Sequence, residues 1–92
     1  MTFMLNQQIT IINKLGLHTR AAAKLVATAT KYESKIEISR NDHKIDAKSI
    51  MGVITLGATK GSVLDLVITG GDEQEARDAI VELINNRFGE AE

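Results

Sequence analysis

His18 and Arg20 stand two residues apart in the run Lys14-Leu15-Gly16-Leu17-His18-Thr19-Arg20-Ala21-Ala22-Ala23, where a strand-like stretch gives way, past a glycine, to an alanine-rich one. Residues two apart do not face each other inside a helix. The pair can therefore cooperate only where His18 is the non-helical cap and Arg20 lies in the first turn. The first backbone N–H groups of a helix have no internal partner and carry the positive end of its dipole, so such a junction is an anion site. That field and the guanidinium both favour the neutral imidazole, in which one ring nitrogen keeps a free lone pair. A neutral imidazole can attack phosphorus, and the attached phosphoryl group would then meet helix N–H groups and Arg20. Helix-end stabilisation is about 0.3–1 kcal/mol, reaching about 2 kcal/mol in partly buried geometry. It is modest enough for the group to leave again, as a carrier requires.

The elements that must position this pair can be read from periodicity. Leu5 to Ile12 has the β-branched content of a strand, with Gln7, Ile9 and Ile11 on one face, and Asn13 to Gly16 breaks it. From Thr19 to about Lys31, Ala21, Ala22, Leu25, Val26 and Ala29 recur at helical spacing. Ile36 and Ile38 alternate with polar residues in a second strand, and Asn41-Asp42-His43 turns into a third, Lys44 to Ala47. Ser49, then Ile50, Met51, Val53, Ile54 and Leu56, then Gly57, has the form of a short helix with a serine cap and a glycine stop. Ser62 to Thr69 alternates most clearly, with Leu64, Leu66 and Ile68 on one side and Asp65 on the other. Asp72 is placed to cap a last helix with Glu75 at capping-box spacing and a stripe of Ala76, Ala79, Ile80, Leu83 and Ile84, ended by Arg87, Phe88 and Gly89. The order is βαββαβ with an extra short helix before the last strand. Three helices, each with one apolar stripe, can cover one face of a four-stranded sheet. Periodicity alone leaves the strand order open.

Composition narrows the function classes. Ninety-two residues suit one domain, 1–92, with a single core. Eleven basic residues against twelve acidic ones, with no basic block and 3% aromatics, argue against a nucleic-acid partner. There is no cysteine, which excludes disulfides and thiolate metal sites. Met1-Thr2-Phe3-Met4-Leu5 lacks the basic and apolar segments of a targeting signal, and no stretch is apolar for long enough to insert in a membrane. The expectation is a cytoplasmic protein without metal or cofactor. Lys60-Gly61-Ser62 lacks the spacing of a nucleotide-binding loop and reads as a connection, while His43 reads as an exposed turn residue. No set of nucleophile, base and orienting group can be assembled around His18, which argues against an independent catalyst.

Gly16-Leu17-His18-Thr19-Arg20 with its following alanines, joined to Ala47-Lys48-Ser49-Ile50-Met51-Gly52-Val53 downstream, resembles the histidine-containing phosphocarrier family HPr over nearly the whole chain. The resemblance implies an α+β open-faced β-sandwich, its four-stranded antiparallel sheet in the order 1-4-2-3 covered on one face by three helices. It implies a monomeric stoichiometric carrier of the bacterial phosphotransferase system, without cofactor or metal and not a turnover enzyme. Enzyme I would phosphorylate His18 on Nδ1, and enzyme IIA domains would receive the group. By motif position Arg20 and the amides of Thr19, Arg20 and Ala21 stabilise it. Ser49 falls on the serine that HPr kinase/phosphorylase modifies in many members. Ile50, Met51 and Val53 cannot all face one way on a helix, so part of this run reaches the surface; the expected docking contacts are Thr19, Ile50, Met51 and Val53. The family usually has proline where this chain has Ala21, a change expected to be tolerated because a first-turn N–H has no intrahelical partner. The related nitrogen-system (NPr-type) carrier shares the histidine, but the Ser-Ile-Met-Gly-Val run favours the sugar-system type. An acylphosphatase-like hydrolase or a ligand-sensing domain would be the alternatives of a different class on a βαββαβ chain.

Overall fold

The computed structural model describes residues 4–92; Met1, Thr2 and Phe3, part of the N-terminal stretch discussed above, lie outside the described residues. Strands β1 (Met4–Thr10), β2 (Lys35–Arg40), β3 (His43–Asp46) and β4 (Val63–Thr69) form one sheet in the order β1-β4-β2-β3, every pair antiparallel. This is the order that the family resemblance implies. Helix α1 (Thr19–Ala29) packs on α2 (Ile50–Thr55) and on α3 (Glu73–Asn85), while α3 lies on β1 and β4 and α2 touches β3. A 3-10 turn, Arg87–Gly89, follows α3.

The strands obey a period of two because one face of the sheet is covered. Leu64, Leu66 and Ile68 of β4 are fully buried, and their register partners Ile9, Ile38 and Ile36 are buried with them. Val63 and Asp65 point to the open face. Helices approach the sheet closely through small residues, since Ala21, Ala22, Ala29 and Ala76 are wholly buried. Ile80 and Ile84 complete the α3 stripe. Among the described residues no helix is long and apolar enough to cross a membrane.

Several details depart from the sequence expectation; β1 ends at Thr10 rather than Ile12, for example. Helix α1 stops at Ala29 rather than Lys31, because the N–H groups of Lys31 and Tyr32 reach back only three residues, to Thr28 and Ala29, and the last turn tightens. Strand β3 begins at His43, which pairs with Arg40 across a two-residue turn whose Asn41 has φ +57°. Asp72 precedes α3, and its carbonyl accepts from Ala76 N–H at 3.0 Å, but its side chain bonds none of the helix amides. Its backbone (φ −107°, ψ 29°) is not the extended form that folds a cap side chain over its helix. The carboxylate instead accepts from the Ser34 hydroxyl, from Ser34 N–H at 3.0 Å and from Glu33 N–H at 2.9 Å, tying the α1–β2 connection to the start of α3. Those bonds, the Ser34 hydroxyl foremost, hold the Asp72 carboxyl below its ordinary value.

Candidate functional site

His18 is delivered to its position by a turn with little freedom. Past β1, Ile11 stays bonded to the neighbouring loop: its N–H donates to Ser62 O at 2.9 Å, and its carbonyl accepts from Gly61 N–H at 2.7 Å. The chain then reverses through Asn13 to Gly16, closed by Gly16 N–H to Asn13 O at 3.2 Å. Gly16 has φ +66°, and a Cβ there would lie 2.5 Å from Ala58 O, so only glycine fits. The same Ala58 carbonyl accepts from Leu17 N–H at 3.0 Å, and Leu17 is buried. The loop that looked like a mere connection therefore props the turn before His18.

His18 is the N-cap of α1, with extended backbone (φ −71°, ψ 175°), and its carbonyl accepts the first helical bond from Ala22 N–H at 2.8 Å. Its side chain makes no capping bond, and no acid stands in the first turn. The amides of Thr19, Arg20 and Ala21 precede that first bond and form the positive end of α1. Arg20 is exposed and lines, with His18, Thr19 and Leu15, a cleft of about 790 Å³ that the chain's last residues close on the other side. Leu15 is 66% exposed, a large apolar side chain on the wall of this cleft. Ala21 is wholly buried, so its departure from the family proline lies against the core rather than in solvent.

A residue that sequence reasoning missed completes the site. The Glu90 carboxylate meets His18 Nε2, and its other oxygen accepts from Asn13 Nδ2 at 2.9 Å. Asn13 is fully buried, and its amide also donates to Gly16 O at 2.9 Å. These bonds, Asn13 first and His18 second, hold the Glu90 carboxyl below its ordinary value against the opposing effect of desolvation. The imidazole thus has a helix end on one side and a carboxylate on the other. Glu90 lies 72 residues from His18, so no local spacing could have paired them. Phe88 was the one available signal: an aromatic residue beyond the α3 stripe, it is buried at 1% exposure and draws the chain back.

The second motif lies on the helix packed beside α1 rather than in the cleft. Ser49 caps α2 as expected, its hydroxyl accepting from Gly52 N–H at 3.1 Å, and Gly57 (φ +62°) ends that helix. Ser49, Ile50 (38% exposed) and Met51 (64%) reach the surface. Val53 does not: four positions after the cap it faces inward and is fully buried, so it belongs to the core and leaves the docking set. His43 is exposed, at the start of a strand, with Nε2 3.3 Å from Thr55 Oγ1 and remote from the cleft.

A protein-family model described as PTS-HPr, the PTS HPr component phosphorylation site, matches residues 5–86. The phosphocarrier protein HPr of Cupriavidus necator is 56% identical to this chain over 89 residues, covering 97% of the chain and 100% of that protein. That of Pseudomonas aeruginosa is 55% identical over 86 residues, covering 92% and 96%. The crystal structure of HPr-C-His from Thermoanaerobacter tengcongensis matches with a TM-score of 0.92 at 45% identity, covering 96% of this chain and 99% of that one.

Proposed function

Because the chain belongs to the HPr family, the phosphocarriers of the phosphotransferase system, we propose that His18 takes a phosphoryl group on Nδ1 from phosphorylated enzyme I and passes it to enzyme IIA domains. The observation that carries this reading is the cap position of His18: the residue sits at the positive end of α1 while its side chain makes no bond to the helix. The amides of Thr19, Arg20 and Ala21 and the Arg20 guanidinium receive the phosphoryl charge, which exists only during and after transfer. The protein acts as a monomeric single domain in the cytoplasm, one group per chain and without turnover of its own.

Thr19 and Leu15 at the cleft, with Ile50 and Met51 on α2, supply the surface that partners cover. Ser49, exposed at the start of α2, is a regulatory acceptor for HPr kinase/phosphorylase. A phosphate there carries roughly −1.5 to −2 charges beside Ile50 and Met51, so an acidic partner docking on that apolar surface meets repulsion and a desolvation cost. Incubation with enzyme I and phosphoenolpyruvate tests the main reading. Wild type should gain a single acid-labile phosphoryl group, His43→Ala should match it, and His18→Ala should gain none. Labelling that persists in His18→Ala would overturn the assignment, and steady hydrolysis of an acyl phosphate would point to the hydrolase class instead.

A further inference from the structure

After α3 the chain turns back instead of leaving the domain. Arg87, Phe88 and Gly89 have φ of +60°, +55° and +79°, a left-handed run that non-glycine residues enter at a cost of about 1–2 kcal/mol each. Burial of Phe88 offsets that cost, and the turn is further held by Lys24 Nζ donating to Phe88 O at 2.6 Å and by Gly89 N–H donating to Asn86 Oδ1 at 3.1 Å. The result is that Glu90, which lies outside the residues matched by the family model, returns to α1 with its side chain only 17% exposed.

An ionised carboxylate has no proton to donate, so in its bond to Glu90 the His18 Nε2 carries the hydrogen, and in the neutral ring the lone pair is then on Nδ1. Asn13 adds rigidity, because one buried amide holds both the Gly16 carbonyl, in the turn that delivers His18, and the Glu90 carboxylate that orients its ring. We propose that Glu90 is the positioning residue of phosphoryl transfer, holding His18 in the tautomer whose Nδ1 is nucleophilic and stabilising the positive charge that develops on the ring. This rests on the reading of His18 as phosphoryl acceptor.

On uptake, the Nδ1 lone pair forms the bond to phosphorus while the bond between phosphorus and the phosphorylated donor protein breaks, its electron pair leaving with the donor. The Nε2 proton is not transferred; it stays in the bond to Glu90 as the ring becomes cationic. On release, the N–P electron pair returns to Nδ1, and the ring is again neutral with its hydrogen on Nε2. The carboxylate therefore favours uptake, in which the ring gains positive charge, and it keeps the hydrogen on Nε2 through release, so that Nδ1 is free again for the next group. It also bonds the nitrogen that does not receive the phosphoryl group, which limits repulsion between the two anions.

The test compares wild type, Glu90→Ala and Glu90→Gln as full chains, reading the His18 ring nitrogens by long-range proton–nitrogen correlation without any partner, and the rate of phosphoryl uptake at limiting enzyme I. Wild type should show the hydrogen on Nε2. Glu90→Ala should show mixed tautomers and uptake slowed about 10- to 100-fold, as when the outer partner of a functional histidine is removed. Glu90→Gln keeps an acceptor oxygen and should restore the tautomer and part of the rate, which a purely structural tail would not predict. A wild-type ring with its hydrogen on Nδ1, or Glu90→Ala with unchanged tautomer and rate, would overturn the proposal. Failure of wild type to accept any phosphoryl group would instead strike the functional reading, and the ring nitrogens would still decide the role of Glu90.

Discussion

The N-termini of α1 and α2 pack on neighbouring helices of the same face and solve the same problem in opposite ways. Helix α2 is closed by its own sequence, since the Ser49 hydroxyl accepts from Gly52 N–H and satisfies an amide that would otherwise lack a partner. Helix α1 begins at a residue whose side chain turns away to Glu90, leaving the first amides outside any capping bond. A closed end contributes stability at all times. An open end holds that stabilisation in reserve for a charge that comes and goes. Adjacent helices thus divide scaffold from chemistry, and the division can be attacked from either side.

Gly16→Ala should have the largest effect, because it moves the open end itself. The left-handed backbone and the 2.5 Å approach to Ala58 O together predict a loss of about 2–5 kcal/mol and slower phosphoryl uptake, measured by chemical denaturation and by labelling. Ser49→Ala and Arg20→Ala should then cross over. Removal of the cap costs about 0.5–2 kcal/mol and leaves uptake at saturating enzyme I unchanged. Loss of exposed Arg20 changes stability by about 0.5 kcal/mol or less and slows uptake. Equal transfer rates for Arg20→Ala and wild type would remove the guanidinium from the open end.

Ser49→Asp compared with Ser49→Ala places a charge beside Ile50 and Met51 without disturbing His18. The half-saturating enzyme I concentration should rise several-fold, with the maximal rate retained; indistinguishable curves would end the regulatory role of the closed helix. The smallest effect concerns the third helix end. Asp72 is held below its ordinary value of 3.8, so its bonds to Ser34 and Glu33 stabilise the fold above that pH and are lost as pH falls through the lowered folded value. The thermal stability difference between wild type and Asp72→Asn should be present at neutral pH and fade in acid. A difference that grows in acid would show that the carboxylate is not the stabilising form.

How much of this was legible in the sequence depends on distance along the chain. The Gly16–Arg20 junction, the Ser49 cap and the alternating strand Val63–Thr69 are local patterns, and local backbone rules place them correctly. Asp72 and Glu75 have the spacing of a capping box, yet a tertiary partner, Ser34, outcompetes the helix for the carboxylate. Val53 shows the limit of an all-apolar helix, in which periodicity cannot say which residue faces the core until α1 and β3 are in place. Glu90 could not be read at all, because its approach to His18 depends on consecutive left-handed residues and on the burial of Phe88. Site residues gathered by a returning tail leave no spacing to recognise.

The most direct test of the open and closed ends follows backbone amide chemical shifts as enzyme I and phosphoenolpyruvate phosphorylate the isotopically labelled chain. The largest displacements are expected at Thr19, Arg20 and Ala21, with Ile50, Met51 and Gly52 little changed. Displacements centred on α2, or spread evenly over both helices, would contradict this expectation.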